Sequence, residues 1–194
     1  SLTHLDLWKS SVRDFSGIEP MNSLREISIT VDAADDLQPL EGKPLESLRI
    51  FSETQIAVDF SMLSSARLRH LQIEGPAGST VGDLDLSQLK SAELAYLHKF
   101  DLKSIARPQL ETLILSEVRG DASAFANHPS LRQLTIADGA ISPSLRTLGP
   151  LPKLETLSIE HRGSQPQFVR FPDAADFPAL RRFELQGPLL PVDA

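Results

Sequence analysis

The sequence predicts an α/β solenoid in which parallel strands stack one per repeat, each followed by a turn and a return segment. Three observations lead there. First, a Leu-x-x-Leu-x-Leu hexad, clearest at Leu110-Glu111-Thr112-Leu113-Ile114-Leu115, recurs along the whole chain. Its other copies are Leu2/Leu5/Leu7, Leu24/Ile27/Ile29, Leu45/Leu48/Ile50, Leu68/Leu71/Ile73, Leu89/Ala92/Leu94, Leu131/Leu134/Ile136, Leu154/Leu157/Ile159 and Leu180/Phe183/Leu185. Second, their starts are separated by 22, 21, 23, 21, 21, 21, 23 and 26 residues, and a fixed period in the twenties marks a stacked repeat architecture. Third, the last two apolar residues of each hexad lie two apart, which places both on one side of a strand and their neighbours on the other. One domain, 1–194, is therefore expected, with nine strand motifs starting near residues 2, 24, 45, 68, 89, 110, 131, 154 and 180.

Val12, Phe15, Ile18 and Met21 space apolar residues by three and predict a 3₁₀-like segment. The second return runs through Leu37 and Leu40, after Asp32-Ala33-Ala34-Asp35-Asp36. That acidic stretch lacks the ligand spacing and glycine of a calcium loop and reads as a solvated turn. The third uses Ile56, Val58, Phe60 and Leu63, and the scarcity of breakers between Gln55 and Ala66 predicts a short helix. Gly75-Pro76-Ala77-Gly78-Ser79 is a loop by composition, without the lysine and spacing of a phosphate loop. The fifth hexad is the weakest copy, with Ala92 in a leucine position, and returns through Phe100, Leu102 and Ile105. Ala122, Phe125 and Ala126 predict a single helical turn in the sixth return, and Arg119-Gly120-Asp121 before it reads as a turn. The seventh runs through Ile141, Leu145, Leu148 and Leu151 among Pro143, Pro150 and Pro152. In the eighth, Phe168, Val169, Phe171 and Phe177 alternate with Gly163, Pro166, Pro172 and Pro178, which predicts an irregular loop. The tail Pro188-Leu189-Leu190-Pro191 would serve as a minimal cap.

These hexads resemble the leucine-rich repeat family over essentially the whole chain, and the spacing of the first return is similar to its 22-residue bacterial-type subclass. The resemblance implies a right-handed horseshoe with a parallel concave sheet and a convex side of mixed loop, 3₁₀ and short helix. It also implies a non-catalytic protein–protein interaction module that binds a partner protein through the concave face. A sharper form is a bacterial immunity- or effector-type binder. One alternative is a substrate-recognition segment of a larger enzyme whose catalytic domain is absent. Another is a ligand-sensing ectodomain, which the lack of Cys and of Asn-x-Ser/Thr sites disfavours. Two departures from the family stand out. Its turn asparagine, three residues after the last strand leucine, is replaced here by Ser10, Asp32, Glu53, Pro76, Leu97, Val118, Gly139, Arg162 and Pro188, so the turns should differ between repeats. Solenoid ends need polar caps. The first hexad begins at Leu2, so an uncapped end is expected, open to self-association or belonging to a longer protein.

With Lys+Arg 19 against Asp+Glu 26, the chain carries a net charge of −7. That excess argues against a nucleic-acid partner and an anionic membrane surface, both of which need clustered cations. The absence of Cys excludes disulfides, thiolate metal sites and a cysteine nucleophile. It fits a reducing compartment, and a cytoplasmic location is expected over a secreted one. No apolar run reaches the length of a membrane span. None of the common hydrolase, metalloprotease or dinucleotide motifs occurs, and no carboxylate pair stands out as acid and base. No catalysis, no cofactor and no metal are therefore expected. His4 and His70 occupy equivalent positions three repeats apart. Strand spacing puts them roughly 14 Å from one another, too far to share a metal at roughly 2 Å per ligand bond. All five histidines, with His98, His128 and His161, are expected at the surface.

Strand alternation lists the face that should bind. One outward column reads His4, Glu26, Ser47, His70, Ser91, Thr112, Gln133, Thr156, Arg182. The next reads Asp6, Ser28, Arg49, Gln72, Glu93, Ile114, Thr135, Ser158, Glu184, and the third Trp8, Thr30, Phe51, Glu74, Ala95, Ser116, Ala137, Glu160, Gln186. Trp8 and Tyr96, the only Trp and Tyr, fall on or one residue beyond the third column, and Phe51 and Ile114 join them. Aromatic side chains bury large areas at low entropic cost and are candidate anchors. For Trp8 the competing reading is a fold over the open end of the first repeat, and for Phe51 a place under a loop. The candidate partner-binding set is His4, Asp6, Trp8, Glu26, Arg49, Phe51, His70, Gln72, Glu74, Glu93, Tyr96, Thr112, Ile114 and Glu160.

Overall fold

The computed structural model describes residues 1–12, 14–33, 36–54, 60, 63, 66–75, 84–97, 100–118, 122–138, 148–161, 167–169, 173–187 and 189–191. The strands are β1 (His4–Asp6), β2 (Glu26–Thr30), β3 (Ser47–Phe51), β4 (His70–Glu74), β5 (Ser91–Ala95), β6 (Thr112–Ser116), β7 (Gln133–Ala137), β8 (Thr156–Glu160), β9 (Gln167–Val169), β10 (Arg182–Gln186) and β11 (Leu189–Pro191). β1 to β8 and then β10 form one nine-stranded sheet in chain order. Neighbours are parallel and pair without a slip, so Leu48 faces Leu71, Leu71 faces Ala92 and Ala92 faces Leu113. This is a parallel β-solenoid built on the expected strands.

The register follows from burial. In β3 to β6 inward and outward residues alternate strictly, and the inward pair of each is fully covered. A one-residue slip would turn both to water, at about 1.5–3 kcal/mol for each leucine or isoleucine exposed. The first leucine of the hexad, as in Leu24, Leu45, Leu68, Leu89, Leu110, Leu131 and Leu154, lies at the bottom of the same core. Ala92 keeps its place in the stack, buried like its neighbours.

Backbone groups continue the ladder beyond each strand. The carbonyl just before a strand accepts two N–H groups from the next repeat, as Arg25 O does from Glu46 and Ser47, and Lys90 O from Glu111 and Thr112. Just after the strands, Val31, Ser52, Gly75, Tyr96, Glu117, Asp138 and His161 each donate to the following repeat. In four repeats the chain leaves the strand here through a left-handed residue: Lys9, Tyr96, Glu117 and Asp138 have φ of 53°, 61°, 51° and 47°. At Gly75 a Cβ would lie 2.1 Å from the carbonyl oxygen of Ser52, and at Gly187 one would lie 1.8 Å from that of His161. Glycine is required at both positions.

The helices of the described returns are all 3₁₀, as expected for the first return, at Ser16–Ile18, Gln38–Leu40, Leu102–Ser104, Ala122–Phe125 and Ala174–Asp176. Among the described residues the α component of the expected α/β class is absent. Repeats this short leave room for three or four residues between two buried anchors, which suits an i→i+3 turn. Asp101 and Asp173 cap two of them by accepting from the N–H of Lys103 and Ala175. The short helix expected over 55–66 falls mostly outside the described residues, as do the Arg119-Gly120-Asp121 tripeptide and the loop after Gly75. In the acidic turn, the Asp36 carboxylate accepts from the N–H of Asp32 and Ala33.

Two further expectations are corrected. The eighth return contains β9, which pairs in parallel with β11 in a small second sheet. Leu189–Pro191 of the tail is thus the strand partner of β9, while Phe183 and Leu185 of β10 are 40% and 41% exposed. The histidines are not all at the surface. His128 is 5% exposed, because the Phe125 turn tucks it beneath the return of the preceding repeat. His161 has a side chain only 10% exposed, 3.3 Å from the Asp138 carboxylate one repeat back. His4 and His70 are exposed, and His98 lies outside the described residues. Among the described residues no helix is long and apolar enough to cross a membrane.

Candidate functional face

The three outward columns exist in register. His4, Glu26, Ser47, His70, Ser91, Thr112, Gln133, Thr156 and Arg182 pair strand to strand, and so do Asp6 to Glu184 and Thr30 to Gln186. The candidate residues within strands therefore share one face of the sheet, about 4.8 Å apart along each column. Trp8 and Tyr96 lie just past the ends of β1 and β5.

Over β1 to β4 the candidate residues hold one another. The Trp8 and Phe51 rings are 5.7 Å apart, tilted by 50°. The Arg49 guanidinium lies 4.6 Å from the centre of the Trp8 ring, and its Nε donates to Gln72 Oε1 at 2.8 Å. Lys9 Nζ sits 4.5 Å from the centre of the Phe51 ring and 3.1 Å from Glu74 Oε1. Trp8 leaves β1 yet touches β3, so it spans β2. Beneath it the outward Ser28 and Thr30 are buried, Thr30 to 2% exposure, with no partner for its hydroxyl. Trp8 reaches across the sheet to Phe51, and Phe51 lies against Trp8 and Lys9 of the turn after β1. In the same patch His4 Nε2 contacts Glu26 Oε1 at 2.9 Å, and the Trp8 N–H donates to Asp6 Oδ1 at 3.0 Å.

The middle of the face is different. Glu93 is half-buried on β5, in register between Gln72 and Ile114. Its carboxylate has no hydrogen bond or ion pair among the described residues. Around it stand small side chains, Ser91, Ala95, Thr112, Ser116 and Thr135. Tyr96, at the end of the same strand, is 41% exposed. Toward the far end Glu160 is engaged, and Arg182 Nε donates to Glu184 Oε1 at 2.7 Å.

Sequence reasoning missed two features. Lys9, which ties Trp8, Phe51 and Glu74 together, stands after β1 as Tyr96 stands after β5, and that equivalence could have found it. A charged ladder also runs along the edge where the strands begin: Arg25, Glu46, Arg69, Lys90, Glu111, Arg132, Glu155 and Arg181. Glu46 lies 3.6 Å from Arg25 and 4.0 Å from Arg69, Lys90 lies 3.7 Å from Glu111, and Arg132 is paired with Glu155. The second residue of every hexad after the first carried that signal. Beside the ladder, Arg25, Arg67 and Arg69 line an open groove of about 650 Å³ with Glu46 and Asp85. Hydrogen bonds from the side chain and backbone of Ser87 hold the Asp85 carboxyl below the usual carboxylate range.

Among the described residues no group of three or more His, Asp or Glu is placed to hold a metal ion. Fold and face together define the chain as a parallel β-solenoid with a registered, chemically varied outward sheet face. No protein-family model matches the chain, and a search of curated proteins yields no matching sequence.

Proposed function

We propose that the chain is a leucine-rich repeat protein, a right-handed horseshoe whose outward sheet face is concave and binds a partner protein without catalysis. The observation that carries this reading is the set of outward columns. Their register is strict, yet the side chains differ in every repeat, with Trp, Phe, Ile, Arg and Glu among small polar residues. A surface of that kind offers a rigid scaffold and local variety, the two ingredients of selective protein recognition. The excess of acid over base in the chain supports a protein partner over nucleic acid or an anionic membrane.

The test is site-specific photo-crosslinking from an outward position, Thr112, and from an exposed return position, Gln109. A single protein captured from position 112 and not from 109, and lost on Tyr96→Ala with Ile114→Ala, is the expected result. Capture from 109 alone would move the interface to the returns and overturn the reading.

A further inference from the structure

Among the described residues of the three outward columns, every charged side chain but one has a partner within the chain. Asp6 accepts from the Trp8 N–H, Glu26 contacts His4, Arg49 is held by Gln72 and Trp8, Glu74 meets Lys9, and Arg182 meets Glu184. Glu160 is engaged as well. Glu93 alone has none among the described residues. It is also half-buried, at the fifth of nine strands, so it lies under whatever crosses the middle of the face.

We propose that Glu93 is the specificity contact of this face, and that it takes a lysine or arginine side chain presented by the partner protein. This rests on the open face being the binding surface. The chemistry follows from charge complementarity. A carboxylate already half-removed from water is desolvated further when a partner covers it, and that is costly unless the partner supplies a cation. Long basic side chains carry an apolar stem. Ile114 is the register neighbour of Glu93 on β6, and Tyr96 is three residues on at the end of β5. Both can cover such a stem while the small side chains of Ser91, Ala95 and Ser116 leave it room. The same site disfavours an acidic partner, because like charges would meet without relief.

The test uses peptides selected from a random displayed library on the wild-type protein, then re-measured on Glu93→Gln, on Glu93→Lys and on the Tyr96→Ala/Ile114→Ala double variant. Glu93 is outward, so all three variants are first checked for an unchanged thermal melt. The expected result is enrichment of one Arg or Lys in the selected peptides and roughly tenfold weaker binding to Glu93→Gln. Exchange of the basic peptide residue for Glu should restore binding to Glu93→Lys. Peptides that need Tyr96 and Ile114 but bind Glu93→Gln equally well would overturn this inference and leave the binding face intact. Peptides indifferent to all three variants, or no selected peptide at all, would overturn the inference and the proposed function together.

Discussion

Two patches lie on the same sheet face, and they teach different things. Over β1 to β4, the aromatic rings, cations and carboxylates are spent on one another: Trp8 on Phe51 and Arg49, Lys9 on Phe51 and Glu74. Over β5 and β6, Glu93 has no partner among the described residues and Tyr96 stands out into solvent. An exposed-face tryptophan suggests an interface, and here its ring is also packed against Phe51 and Arg49, beside the buried Ser28 and Thr30. By the reading proposed above, the better marker of an interface is a group left without a partner, as Glu93 is among the described residues. Removing residues from the first patch should therefore cost stability, and from the second, binding.

The largest effects come from the layer beneath both patches and set the scale for them. Leu113 is fully buried under the second patch, and Leu113→Ala should cost about 2–5 kcal/mol. Thr112→Ala, one residue away and outward, should stay within about 0.5 kcal/mol. Equal costs in a denaturant titration would mean that the register is wrong. Between the patches, Gly75→Ala combines a φ of +136° with a Cβ 2.1 Å from the Ser52 oxygen. It should cost on the order of 3 kcal/mol, from strain and steric overlap together.

Next come the patches themselves. Trp8→Ala should destabilise by about 1–3 kcal/mol, because it uncovers β2 and releases both Phe51 and Arg49. Tyr96→Ala should leave the denaturation midpoint nearly unchanged while weakening capture of the partner. The comparison breaks if Trp8→Ala leaves stability intact, or if Tyr96→Ala unfolds the chain.

Acid offers a test of the fold through a return, at His128. Burial lowers the His128 pKa from its ordinary value of 6.5. The geometry agrees: Nε2–H donates to the Arg107 carbonyl at 2.8 Å, and Nδ1 accepts from the Ser130 N–H at 3.3 Å, which suits the neutral ring. With the folded pKa below the unfolded one, the unfolded chain binds the extra proton first. The contribution of His128 to stability is full above the unfolded pKa and is lost as pH falls through the folded one. Thermal melts should fall less steeply between about pH 7 and pH 5 in His128→Gln than in the wild type.

The inward ladder and the outward columns were legible in the sequence because two periods suffice for them. Alternation by two assigns Leu113 inward and Thr112 outward, and recurrence by about 21 residues stacks each on its counterpart. What was not legible depends on reach across strands or between returns. Nothing local to Trp8 says that its ring spans β2 to Arg49. The burial of His128 depends on the Arg107 carbonyl one repeat back, and the pairing of β9 with β11 joins segments about 20 residues apart that have no hexad. The isolation of Glu93 is likewise a property of its neighbours, since Gln72, Ile114 and the small residues around it carry no cation.

The smallest expected effect sharpens the comparison most. Lys9 is half-exposed, and its pair with Glu74 is a surface one, so Lys9→Met should change stability by no more than about 1 kcal/mol. Yet it would leave Glu74 as Glu93 is: a partly covered carboxylate on the same face, one strand away, with no cation of its own. If unmet charge is what makes the middle of the face receptive to basic partners, Lys9→Met should bind arginine-containing peptides more tightly, and added salt should erase the gain. If the variant binds them no better than the wild type at low salt, the contrast between the patches does not lie in charge pairing. The small side chains around Glu93, with the room they leave, would then be the feature that sets the second patch apart.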